Sequence, residues 1–234
     1  MNFLKIKNFL LLFLIIFSYL ISVVKTYAVD ITADRTISSS SDGDQYNIKT
    51  NNDIDVIVTN NSTLERNQKI FNVSAASLTG SSITIHLGSS VIAETNSIFS
   101  NGAELTITNT GTIEATNSKA INVSNSDGVS ITNNNNGVIK SNNNTILGDA
   151  GTGADNVTID NSGEIYTTAT GTESSAIVFA NNDTGNTITN NSGGEIYSSG
   201  SESTIVLGVS STLTNSGSIK NNKSVTNKAI QLKG

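Results

Sequence analysis

Between residues 105 and 232 the chain spells out one short pattern five times, and that repetition limits its possible folds more than any other feature. One unit reads Leu105, Thr106, Ile107, Thr108, Asn109, Thr110, Gly111, Thr112, Ile113, then after a variable stretch Ala120, Ile121, Asn122, Val123. The second has Val129, Ile131, Thr132, Asn133, Gly137, Ile139 and Ile146, and the third Val157, Ile159, Asn161, Gly163, Ile165 and Ile177. The fourth and fifth bring Ile188, Asn190, Gly193, Ile196, Ile205 and then Leu213, Asn215, Gly217, Ile219, Ile230. The equivalent positions Ile107, Ile131, Ile159, Ile188 and Leu213 lie 24, 28, 29 and 25 residues apart. That period suits one coil of three short strands, with the unequal spacing absorbed by loops.

Within Leu105–Asn109 apolar and hydroxyl residues alternate, so Leu105 and Ile107 face inward and Thr106 and Thr108 outward. One coil cannot bury its own apolar face, but coils stacked about 4.8 Å apart bury each other's. The expected fold is all-β: a right-handed parallel β-helix over 77–234, of about five to seven turns. Its turns are expected near residues 83–100, 105–123, 129–147, 157–179, 187–207 and 212–232. Residues 29–76 fit the repeat poorly and are expected to form an atypical N-terminal cap region.

Asn109, Asn133, Asn161, Asn190 and Asn215 each follow the first strand, where the chain bends. A carboxamide both donates and accepts, so these side chains are expected to form a ladder, each bonded to its equivalents above and below. Gly111, Gly137, Gly163, Gly193 and Gly217 follow, and are expected to take turn dihedrals that a Cβ would obstruct. Proline is absent, as suits strands that must pair on both edges.

Lys5 and Lys7 precede an apolar run from Phe9 to Val24, followed by Lys25, Thr26, Tyr27 and Ala28. This order reads as a helical secretory signal peptide, residues 1–28, cleaved after Ala28. Removing it takes away Lys5, Lys7 and Lys25, leaving 10 basic against 19 acidic residues and a net charge of −9. An acidic chain with scattered lysines is not expected to bind nucleic acid. Cysteine is absent although export would permit disulfides, so stability must come from packing. Aromatics make up only 5%, which leaves an aliphatic core.

Units such as "LTITNTGTIEATNSKAINV" and "VTIDNSGEI…SSAIVF" resemble the passenger domains of bacterial autotransporters secreted by the type V route. The resemblance covers roughly residues 82 to 232. It implies a parallel β-helix at a Gram-negative cell surface or outer membrane, or secreted from it, with host-cell or matrix surface molecules as partners. The family pattern ends in an outer-membrane β-barrel, whereas this sequence stops at Gly234 directly after Ala229–Leu232. A passenger fragment or truncated gene product is the corresponding expectation, its open C-terminal turn free to pair with further repeats.

No residues are expected to be catalytic, metal-binding or cofactor-binding. His86 is the only histidine and falls on an outward position, so a Ser-His-Asp triad or a histidine zinc site lacks its parts. Glu164 and Glu195 occupy equivalent places and could stack with Asp160 nearby, as a solvated strip or as the acid and base of a polysaccharide-cleaving enzyme. Ala150–Val157 approaches a calcium-binding nonapeptide but occurs once, where such sites need tandem copies, and Asp42–Asp44 reads as a turn. Outward Thr106/Thr108, Ser130/Thr132, Thr187/Thr189 and Thr212/Thr214 form an array that Asp160 interrupts, better suited to solvation than to binding ice. The expected function is therefore non-enzymatic and adhesin-like, with loops such as Asn142–Asp155 and Ala169–Ser175 displayed from a rigid rod. The alternatives are a β-helical polysaccharide-active enzyme and a non-functional remnant.

Overall fold

The protein is described by a computed structural model that covers residues 28–49, 53–59, 61–74, 78–102, 104–148, 153–223 and 228–233. Three parallel sheets form the walls of a coil that the chain follows B, C, A, turn after turn. Sheet A has nine strands, from Ala28–Ile31 to Ile230–Leu232. Sheets B and C have eight each, from Arg35–Ile37 to Thr212–Asn215 and from Ser41–Asp42 to Ser218–Asn221. The chain is an all-β parallel β-solenoid, with no helix among the described residues.

The aliphatic columns fall in the expected register. Ile83, Ile107, Ile131, Ile159, Ile188 and Leu213 pair in sequence along sheet B. Val91, Ile113, Ile139, Ile165, Ile196 and Ile219 do so along sheet C. Ile98, Ile121, Ile146, Ile177, Ile205 and Ile230 do so along sheet A. Every member except the last of each column is completely buried. At about 1.5–3 kcal/mol for a fully buried Ile or Val, these columns supply the main cohesion of the rod.

Strands of the same three sheets are already present N-terminal to residue 77, where a distinct cap was expected. Arg35 and Val56 extend the sheet B column, Leu64 that of sheet C, and Tyr46 and Phe71 that of sheet A. Two changes hide these coils in the sequence. Aromatic rings, with centroids 5.6 Å apart in Tyr46 and Phe71, replace stacked isoleucines. Ile37, Val58 and Ile85 occupy the column that Asn109 opens further along.

Residues 1–27, most of the expected signal peptide, lie outside the described residues. Ala28, the expected cleavage position, is the first residue of the first strand and pairs with Gln45, so cleavage there would leave Val29–Ile31 in place.

Loop length is distributed unevenly. The corner from sheet B to sheet C holds two to four residues, two as in Thr110–Gly111 and Ser162–Gly163 and four as in Asn134–Gly137 and Asn191–Gly194. The other two corners carry the longer connections, including 168–176 and 148–157.

Candidate functional site

The tight corner between sheets B and C is built around the Asn ladder. Asn109 Nδ2 donates to Asn133 Oδ1, Asn133 to Asn161, Asn161 to Asn190 and Asn190 to Asn215, each at 2.8 Å. Every link runs in the same direction. Each of the first four amides also reaches the carbonyl of its own corner glycine and the carbonyl of Val138, Glu164, Glu195 or Ser218 in the next coil. All but Asn215 are fully buried, and the ladder satisfies the polar groups that burial would otherwise leave without water.

The corner glycines are needed for a different reason from the one the sequence suggested. Gly111, Gly137, Gly163 and Gly217 do not adopt left-handed dihedrals. Instead, a Cβ on Gly163 would stand 2.2 Å from the Gly137 carbonyl oxygen, and one on Gly217 2.3 Å from that of Gly194. Close approach of backbone to backbone excludes any side chain here. In the fourth unit the equivalent residue is Gly194, not Gly193, because Asn190 Nδ2 donates to the Gly194 carbonyl. Gly193 takes φ +88° with open space around it, as Asn136, φ +71°, does in the other four-residue corner of the repeat.

The remaining sequence candidates separate from one another. His86 is exposed, with Nδ1 3.2 Å from Thr59 Oγ1. Among the described residues no three His, Cys, Asp or Glu side chains converge as metal ligands would. Of Ala150–Val157, Gly153–Val157 are described, and Asp155 uses its carboxylate to accept the Thr184 amide at 2.6 Å. The hydroxyl columns of sheet B are in register, with Asp160 between Thr132 and Thr189.

Glu164 and Glu195 do stack in register on sheet C, over a shallow hollow of about 180 Å³. Both are occupied: Tyr197 Oη donates to Glu164 at 3.2 Å, and Lys220 pairs with Glu195 at 3.3 Å. Beside them Tyr166 and Tyr197 lie face to face, centroids 4.6 Å apart, with Lys220 over the outer face of Tyr197. One face of Tyr197 is covered by a ring and the other by a cation, so Tyr197 presents neither face as an open platform for a sugar. Burial first, then the neighbouring Glu164 carboxylate, raises the Tyr197 hydroxyl well above the ordinary tyrosine range. A pKa raised on folding means that folded-state stability is intact below the free tyrosine pKa of about 10 and declines as pH rises beyond it. Tyrosinate absorbance is expected to show a late-titrating tyrosine, and Tyr197→Phe is expected to remove that late phase.

A roomier concavity than this hollow lies on the outer face of sheet A, with a volume of about 460 Å³. Its floor is Leu147, Val178 and Val206, a small apolar cluster separate from the core. Its walls come from the corner between sheets C and A: Asn144, Glu173, Ser201 to Ser203, with Gln231 and Lys233 at one end. Glu173 sits at φ +54°, a left-handed conformation unusual for a side chain of its size. It accepts from Asn143 Nδ2 at 2.7 Å and lies 3.8 Å from Lys119. The Glu202 carboxylate, on the next coil, accepts from Ser175 Oγ at 3.5 Å. Sequence reasoning missed this groove because loops of unequal length bring its walls together. A signal for the floor does exist, since Ile146–Leu147, Ile177–Val178 and Ile205–Val206 are adjacent apolar pairs and a strand must turn one of each pair outward.

Fold and surface together define a parallel β-solenoid with a groove on one wall and a polar ladder in one corner. No protein-family model, curated protein or solved structure matches the chain.

Proposed function

We propose that the chain is an exported, non-enzymatic surface or secreted protein, adhesin-like, that binds host-cell or matrix molecules in the sheet A groove. The observation that carries this reading is the placement of that groove: an apolar floor held by the rigid stack and walls formed by loops that differ in length from coil to coil. Rigid scaffold with variable loops is the arrangement by which repeat folds recognise partners. The N-terminal pattern ending at Ala28, and the resemblance to autotransporter passengers, support export to a Gram-negative surface.

Glu173 and Glu202 line the same groove and favour a second reading, a polysaccharide-active enzyme, because glycoside hydrolysis uses a pair of carboxyl groups flanking the bond that is cut. The chain beginning at Val29, applied to immobilised matrix proteins and polysaccharides, separates the two. Filling the groove by Val178→Tyr is expected to lower adhesion about tenfold, a loss of about 1.4 kcal/mol. Thr106→Ala on another wall is expected to leave it unchanged, and the pair Glu173→Gln and Glu202→Gln tests the enzymatic reading. Polysaccharide chain shortening abolished by that pair would overturn the adhesive reading, as would binding indifferent to Val178→Tyr.

A further inference from the structure

Sheet C also carries a concavity of about 320 Å³, on coils in the middle of the rod. Its two rims are outward positions of the same strands. On one side Glu114, Lys140 and Tyr166 pair in sequence, and on the other Thr116, Asn142 and Thr168 stand two residues further along each chain segment. Between the rims Ala115 and Ser141 turn inward and are buried, which leaves the floor low. Small-ligand sites begin at about 300 Å³, so a concavity of this size suits a short stretch of a larger molecule.

The lining has a specific chemistry. Tyr197 supports the Tyr166 ring from the coil that follows, with 6° between the planes. The concavity is lined by the coils that precede Tyr166 and by no residue of the Tyr197 coil, so it borders the side of Tyr166 away from the stack. Lys140 turns its ammonium to Glu114, at 3.0 Å, and both are half-buried. This pair closes on itself, and any charged ligand would meet a like charge in one of its members. On the facing rim Thr116 and Asn142 are exposed, and among the described residues neither side chain has a hydrogen-bond partner. A hydroxyl and a carboxamide each donate and accept. A half-buried aromatic ring beside neutral groups of both kinds fits a ligand that is apolar on one face and ringed by hydroxyls.

We propose that this concavity binds a pyranose ring of a neutral glycan. The C–H face of the sugar lies against Tyr166, and its hydroxyls bond to Asn142, Thr116 and the Glu114–Lys140 pair. The site is on a different wall from the sheet A groove and does not depend on the groove's role.

A glycan array carrying neutral hexose oligosaccharides, their sialylated counterparts and heparin tests the proposal, with calorimetry on the oligosaccharides retained. Neutral oligosaccharides are expected to bind, and the charged ones about tenfold or more weakly. Tyr166→Leu keeps an apolar side chain without an aromatic face and is expected to weaken binding about tenfold, with a smaller loss for Asn142→Ala. Tyr197→Phe, which keeps the supporting ring, and Val178→Tyr in the sheet A groove are expected to leave affinity unchanged. Should Tyr166→Leu not fold, Thr116→Tyr fills the concavity from an exposed rim position and is expected to abolish binding. Retention of no neutral oligosaccharide, preference for the charged ones, or full affinity in folded Tyr166→Leu or in Thr116→Tyr would overturn the proposal. Sugar binding lost in Val178→Tyr but kept in Tyr166→Leu would place the sugar in the groove and overturn it equally.

Discussion

Gly163→Ala is expected to lower the unfolding midpoint by on the order of 10 °C and to divide one transition into two, as followed by calorimetry and far-UV circular dichroism. The new Cβ would meet the Gly137 oxygen at 2.2 Å, the Asn134 oxygen at 2.6 Å and Asn133 Nδ2 at 2.8 Å. Two of these atoms are backbone already fixed by hydrogen bonds, Glu164 to Gly137 and Gly137 to Asn134. Relief therefore requires separating the coils, which breaks ladder bonds as well as packing. Overpacking alone costs about 1–3 kcal/mol, so a total of about 3 kcal/mol or more follows once those bonds are included. Because stability in a solenoid is the sum of coils and their nearest-neighbour interfaces, weakening one central interface lets the two halves melt separately. Gly193→Ala supplies the control, since its surroundings are open. It should cost only the left-handed backbone penalty of about 1–2 kcal/mol and keep a single transition.

That contrast also marks what the sequence could and could not convey. Isoleucine columns were legible because each coil repeats the same alternation, and a buried face one residue out of phase would have turned every aliphatic to solvent. The Asn ladder was legible for the same reason. The four-residue corner was ambiguous because Gly193 and Gly194 are adjacent, and only the carbonyl accepting from Asn190 distinguishes them. The earliest coils were hidden because a solenoid requires matching neighbours, not one fixed residue type: Ile37, Val58 and Ile85 fill the corner column as well as Asn does. The groove was hidden for a topological reason. Glu173 and Glu202 are brought together by stacking coils whose loops differ in length, and no local spacing encodes that.

Asn161→Ile is expected to destabilise the protein by about 2–4 kcal/mol, because it breaks the ladder in its middle on both sides. Asn133 Nδ2 would lose the acceptor at 2.8 Å, and Asn190 Oδ1 would lose its donor at the same distance, both fully buried. Ile itself fits the column, as Ile85 does, so the cost is that of stranded amides and not of a misfit side chain. It follows that position matters more than residue type. Asn109 already rests on Ile85, and Asn109→Ile would only move the boundary between aliphatic and amide by one coil, breaking the single link to Asn133. Its penalty should be about half that of Asn161→Ile. In the same way, Asn133→Ile and Asn161→Ile together should cost less than the sum of the two, since the link between them is lost only once. Denaturant titrations of the three single variants and the double variant measure this coupling. Strict additivity, or equal penalties at Asn109 and Asn161, would mean that the amides act one coil at a time and not as a continuous ladder.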